Sequence, residues 1–319
     1  MSYNKERYRK LKAMAYYFLF GLWYLFSLLP MRVHYILSDA IFCLLYYIIR
    51  YRRRVVRKNL TESFPEKPLE EVVKIERGFY HWFCDYFVES VKYISISEKA
   101  MKKRFVFKNP ELVEETIKSG QSVGFYMGHY CNWEWVSSLP LWIKSGAQVG
   151  HIYHPLENQV FDRLFLYLRQ HMGCVSIPMQ ETLRKMLEFK QAGQPIIIGY
   201  LSDQKPHWVN IHHWVDFLNH DTPVLTGTER VLRKMNHAVY YLDIWRPRRG
   251  YYEAEFKLIT REPQQTKDFE ITDAYYQQLE QTIRRAPEYW LWSHNRWSRT
   301  REEFNERFMV VNGRVVPKS

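Results

Sequence analysis

The chain has 319 residues, room for one large domain or two small ones, and 46 Lys and Arg against 34 Asp and Glu give it a formal charge of +12. A hydrophobic content of 46% with 17% aromatics excludes disorder, and a negative mean hydropathy excludes a polytopic membrane protein. Cys43, Cys84, Cys131 and Cys174 are widely spaced without a CxxC pair, so no disulfide framework or structural zinc is expected and a reducing compartment is the default.

The first twelve residues carry Lys5, Arg7, Arg9, Lys10 and Lys12 against Glu6. Residues 13–31 then run without a charge, mostly large and apolar. As a helix rising about 1.5 Å per residue, this run covers just under ~30 Å, the thickness of a bilayer's hydrocarbon core. It is too long and aromatic for a signal peptide, and no small-residue cleavage pattern follows. A buried core helix is the alternative. A second uncharged run, 40–49, leads into six basic residues within 50–58 and no acid. A shallow helical hairpin turning at Pro30 puts both basic clusters at one anionic leaflet. Arg52, Arg53, Arg54, Arg57 and Lys58 are therefore expected to meet an anionic membrane surface. Nucleic acid is the weaker partner, because the cluster directly follows an apolar run. The chain thus divides into a membrane-associating helical region, residues 1–50, and a folded domain, residues 51–319.

Residues 61–68, with two acids and two prolines, read as a loop, and 69–94 as a helix from the spacing of Val72, Ile75, Phe79 and Phe83. Beyond residue 120, short apolar runs at 121–127, 148–153, 174–177 and 195–201 read as strands. Helical patterns at 156–171 and 181–191 lie between them. Residues 237–245 and 251–258, parted by Pro247 and Gly250, read as an antiparallel pair, and 269–285 as a closing helix. The expected fold class is α/β, a central mixed sheet flanked by helices, behind an N-terminal helical membrane anchor.

The strand at 121–127 runs into Gly128-His129-Tyr130-Cys131-Asn132-Trp133-Glu134. Asn132 is suited to cap a helix starting at Trp133, with Glu134 in its first turn. His129 then sits beyond the carboxyl end of a strand, where α/β sheets bind ligands. A carboxylate five residues on can reach the imidazole, fix its tautomer and make the other ring nitrogen a better base. The alternative is an exposed histidine before a capped helix, with Glu134 favoured by the helix dipole. His207, His212, His213 and His220 fit no common ligand spacing, so no metal is expected. Trp290 and Trp292 read as core.

This heptapeptide resembles the His-x4-Asp/Glu motif of the glycerolipid acyltransferases, and its Asn-Trp-Glu ending is similar to the bacterial lipid A late acyltransferases (lauroyl and myristoyl transferases). The segment from Arg57 to Pro65, RKNLTESFP, resembles that family's Arg-x-Asn-Leu-x-x-x-Phe-Pro. Asn158, Asp162, Arg169 and Gly173 match its Asn-Pro-x-x-Asp…Arg…Gly stretch, with Gln159 replacing the usual Pro. Asp203-Gln204, Thr222-Pro223, Thr226-Gly227 and the tryptophan-rich 289–297 follow in the family's order, with Asn295 where Arg is usual.

The resemblance implies acyl transfer from a carrier thioester, an acylated acyl carrier protein, to a hydroxyl of a lipid A precursor. This would occur at the cytoplasmic face of the bacterial inner membrane and without a cofactor. It implies His129 as general base, Glu134 as its orienting partner and no need for Cys131 as a nucleophile. Arg169 is expected to meet the oxyanion or the acceptor's phosphate, or else to lie in solvent on a helix face. Asp203 is expected to hold Arg169 or bind the acceptor, or else to begin a turn. Asn132, Asn158 and Gln204 are expected substrate contacts. Two alternatives remain: an acyltransferase acting on another glycolipid, aminolipid or lysophospholipid, and a nonenzymatic basic protein that binds membrane or nucleic acid.

Overall fold

The computed structural model describes residues 2–311 and 313–318, with side chains from residue 12 onward, so the basic side chains at 5–10 lie outside the described residues. The N-terminal part is helical. Helix α1 (Ser2–Ser27) turns at Pro30 into α2 (Met31–Cys43), which continues as a π-helix, Leu44–Ile49. Then follow α3 (Arg53–Ser63), α4 (Leu69–Tyr93), α5 (Glu98–Arg104), β1 (Phe105–Phe107), α6 (Pro110–Lys118) and β2 (Val123–Met127). The 3-10 helix Trp133–Leu141 leads to β3 (Gln148–Tyr153), α7 (Gln159–Gln170), β4 (Val175–Pro178), α8 (Thr182–Gln191) and β5 (Ile196–Leu201). The C-terminal part comprises β6 (Trp214–Phe217), β7 (His220–Pro223), α9 (Gly227–Met235), β8 (Ala238–Arg248), β9 (Tyr251–Thr260), α10 (Glu270–Arg285), α11 (Arg301–Arg307), β10 (Phe308–Val311) and β11 (Arg314–Pro317).

Seven strands form one mixed sheet in the order β1-β9-β8-β2-β5-β3-β4. Every pairing in it is parallel except β8 with β9. The central strands β2 and β5 are buried along almost their whole length, which is why they appear as unbroken apolar runs rather than alternating ones. In the β8–β9 hairpin the register slips between Trp245 and Arg248, where Pro247 has no N–H to offer the ladder. The expected α/β class, the four apolar strands and the antiparallel pair all occur. Strand β1 is three residues long, and the small β6–β7 and β10–β11 sheets were not expected.

Among the described residues, the helix long and apolar enough to cross a membrane is Met31–Ile49, rather than the expected run at 13–31. Helix α1 packs on α7 and α4, α2 packs on α4, and the two meet beside the turn, where Phe26 contacts His34 edge-on. Phe20 meets Tyr167 and Trp23 meets Phe165 edge-on, while Met14, Phe18, Leu22 and Leu25 face outward. Asp85 of α4 ties this region down. It accepts from Ser38 of α2 (2.7 Å) and from Arg246 (2.6 Å) and Arg249 (2.6 Å) at the tip of the β8–β9 hairpin.

Asn59 is the corresponding tie at the other end. It is buried in α3, and its amide donates to the carbonyls of Trp292 (2.9 Å) and His294 (3.0 Å). Replacing it leaves the buried Trp292 carbonyl without its side-chain donor, whereas the His294 carbonyl keeps the Arg296 N–H (2.8 Å). We expect Asn59→Ala to lower unfolding free energy by about 1–3 kcal/mol in urea titrations of the detergent-solubilised protein.

Candidate active site

Strands β2 and β5 run parallel with Met127 opposite Leu201. Residues two positions beyond each strand therefore face one another at the sheet's carboxyl edge, and these are His129 and Asp203. The contact is close. Asp203 Oδ1 lies 2.6 Å from His129 Nδ1, and Oδ2 accepts the His129 backbone N–H (2.8 Å) and the Trp290 indole N–H (2.8 Å). Gly128 makes room for this: a Cβ there would stand 2.6 Å from Leu279 and 3.4 Å from Asp203 Oδ2. Burial alone would raise the Asp203 carboxyl. The opposing charge of His129 and the donors from His129 and Trp290 overcome it and bring the pKa down to about 2. Because the carboxylate is ionised and only accepts, His129 Nδ1 carries a proton toward it, and in the neutral form of the ring Nε2 is the acceptor. The Gln204 amide lies 3.5 Å from Nε2.

Glu134 does not contact His129. As expected, Asn132 caps the following helix, accepting from the Trp135 N–H (3.2 Å), but that helix is 3-10. Its first turn carries Glu134 to α7, where Arg169 grips it with Nε (2.7 Å) and Nη2 (2.6 Å), and Tyr86 adds a longer bond (3.3 Å). Burial works to raise the Glu134 carboxyl, and Arg169 more than offsets it, so the group stays charged. The structure thus exchanges the expected partners: Asp203 holds His129, and Arg169 holds Glu134.

These groups border a cavity of about 900 Å³ lined by polar side chains, among them His129, Glu134, Arg169, Gln204 and Lys205, and by apolar ones that include Phe125, Met127, Val136, Val149 and Ile152. His151, pushed down to about 3 by burial and by Arg169, sits on the wall as a neutral ring, 2.9 Å from Ser176 Oγ. The thiol of Cys131 is wholly buried and pushed up, and its backbone holds a left-handed φ of 52° in the motif turn. It is no nucleophile in this state. Asn132 and Asn158 do not line the cavity. Asn132 is buried and donates to Glu89 (2.8 Å), and Asn158 is exposed, capping α7 through the Val160 N–H (3.0 Å). Gln159 Oε1 accepts from Lys12 of α1 at 2.9 Å.

Two contributors were not anticipated. Trp290, read as core and indeed buried, also donates to Asp203. His294, lowered to about 4 by burial and Arg296, accepts the Lys205 backbone N–H at 3.4 Å beside the cavity. Their sequence signal was the dense 289–297 segment, which gave no hint of direction. The clustered histidines disperse: His213 meets Asp273 (2.7 Å), and His220 stacks on Trp297.

Fold and site together define an α/β enzyme with a histidine–carboxylate pair at the mouth of an apolar-walled cavity. Residues 1–299 match the model of the bacterial lipid A biosynthesis acyltransferases, and the chain belongs to that family. It is accordingly a membrane-associated acyltransferase with an acyl donor and a lipid acceptor, which sets aside the nonenzymatic alternative. Comparison with curated proteins finds no match.

The depressed pKa of Asp203 makes stability depend on acid. Its ionised form favours the fold above the ordinary carboxyl pKa of 3.8, and this is lost as pH falls toward 2. Urea titrations between pH 5 and 2.5 should show a fall smaller by on the order of 2 kcal/mol in Asp203→Asn than in the unaltered chain. The Glu134–Arg169 pair predicts a different pattern. Arg169→Ala, which strands a buried carboxylate, should cost about 3 kcal/mol, and adding Glu134→Gln should recover most of it in the same titration.

Proposed function

We propose that the enzyme moves a fatty acyl chain from an acyl carrier protein thioester to a hydroxyl of a lipid A precursor. The observation that carries this reading is the ionised Asp203 on His129 Nδ1, which leaves Nε2 as a proton acceptor at the cavity mouth. The acceptor O–H gives its proton to Nε2 as its oxygen attacks the thioester carbonyl carbon. The tetrahedral oxyanion collapses with cleavage of the C–S bond. The departing thiolate takes the proton back from His129, leaving an ester and a free carrier thiol. No cofactor and no acyl-enzyme are needed. Asp203 acts here as the orienting carboxylate. Arg169 keeps Nη1 outside its bonds to Glu134, in place to meet the oxyanion, and Glu134 sets that guanidinium. The apolar walls suit an acyl chain, and Gln204 in the lining suits the acceptor.

Residues 1–50 attach the enzyme to the membrane, aided by the basic segment from Arg52 to Lys58, and residues 51–319 carry the reaction. The net charge of +12 suits an acidic carrier protein and anionic lipid. Four free cysteines agree with the cytoplasmic face of the inner membrane, where carrier thioesters are made.

The test is transfer by the purified enzyme in detergent, with carrier-protein and coenzyme A thioesters offered in turn to a lipid A precursor. His129→Ala should lower kcat by about 10²–10⁴-fold and Asp203→Asn by a similar order, with KM little changed. Transfer that survives His129→Ala would overturn the assignment, and preference for coenzyme A would overturn the donor.

A further inference from the structure

A second concavity, of about 950 Å³, lies where the π-helix gives way to α3, lined by Arg50, Arg52, Arg53, Arg54, Arg57 and Lys58. Only two carboxylates reach it, Glu62 and Glu76. Glu76 is buried at its base and holds Arg53 (3.3 Å) and Arg57 (2.5 Å) in place, while the exposed Glu62 stands 4.0 Å from Lys58. Arg50 and Arg54 are exposed and meet no carboxylate among the described residues. The cleft therefore holds a standing excess of positive charge around fixed guanidinium groups, whose planar forks match phosphoryl oxygens.

Its surroundings say which anion. The residues just before it, Leu44, Tyr47, Ile48 and Ile49, are exposed and apolar, at the end of the helix suited to a bilayer. An apolar surface ending in arginines belongs at the headgroup level, where a soluble acidic protein would have to displace lipid to enter. On its other side the cleft is linked to the reaction cavity through residues 293–294 and Lys205. Arg52 donates to the Ser293 carbonyl (3.0 Å), the adjoining His294 accepts from Lys205, and Lys205 lines the cavity.

We propose that this cleft binds a phosphate of the acceptor lipid itself, so that one headgroup spans both concavities with its phosphate among Arg50, Arg52 and Arg54 and its hydroxyl at His129. The inference rests on the acyl-transfer reading above and deepens it: the enzyme selects acceptors by charge at a site separate from the chemistry.

Binding tests this without turnover. Neutral phosphatidylcholine vesicles would carry a lipid A precursor with its phosphate monoesters, the same lipid dephosphorylated, or phosphatidylglycerol at equal charge. Partition of His129→Ala protein would be compared with the triple variant that adds Arg50→Gln and Arg54→Gln. The starting protein should prefer the phosphorylated precursor over the dephosphorylated one, and over phosphatidylglycerol, by at least about tenfold. The triple variant should lose that preference. An unchanged preference would overturn the proposal, as would an equal loss on phosphatidylglycerol, which would mark bulk surface attachment. A change confined to KM for the carrier thioester, measured with His129 restored, would also overturn it, in favour of a carrier-protein dock. Absence of transfer by the unaltered enzyme would instead count against the reaction, leaving the binding result to stand.

Discussion

One buried carboxylate organises the site. Asp203 is withdrawn from water, and a charge so placed persists only if donors surround it. Its donors come from separated parts of the chain: the backbone and ring of His129 at the end of β2, 74 positions before it, and the indole of Trp290, 87 positions after it. The register of the central strands, the path of the tryptophan-rich segment and the orientation of the imidazole are thus aspects of a single constraint. It also selects the tautomer, because an ionised Asp203 cannot donate to Nδ1.

The rest of the motif turn is held in the same way, by a different partner at each polar position. His129 goes to Asp203 of the β5 end, Asn132 to Glu89 of α4, and Glu134 to Arg169 of α7. Glu89 also accepts from Tyr252 (2.7 Å) and lies within 3.9 Å of Arg246, which offset only part of its burial, so its carboxyl is pushed up. Three attachments to three elements hold a short turn that includes Cys131 in a left-handed conformation, which the surrounding bonds must sustain against a cost of about 1–3 kcal/mol. The general-base role proposed for His129 would benefit from such bracing, because proton transfer depends on close positioning.

Local features were legible in the sequence. The strands near the sheet centre appeared as apolar runs because both their faces are covered, and Asn132 was recognisable as a cap because capping depends on neighbours three residues away. Pairings across the sheet were not. The spacing of His129 and Glu134 suggested a contact within the turn, whereas the true partner is 74 positions on, and becomes visible only once β2 and β5 are known to be parallel neighbours in register. Asp203 was correctly placed at a strand end, but its partner depended on that register. Strand β1 escaped notice because three residues carry no periodicity, and it exists only by pairing with β9.

The charge surplus takes on a location and a direction in the fold. Segment 50–58 is basic and α3 begins inside it without an acidic residue in its first turn, an arrangement that works against the helix dipole. This helix is held by Glu76 through Arg53 and Arg57 and by its attachment to the site: Asn59 and Arg52 bond to the carbonyls of residues 292–294, two to four positions beyond the Trp290 that secures Asp203. A displacement of α3 at the membrane surface must therefore either break those bonds or be passed along a few residues of backbone to the carboxylate that orients His129. The basic segment and His129 are thus joined through a few residues, 290–294, which bond to Arg52 and Asn59 on one side and to Asp203 on the other.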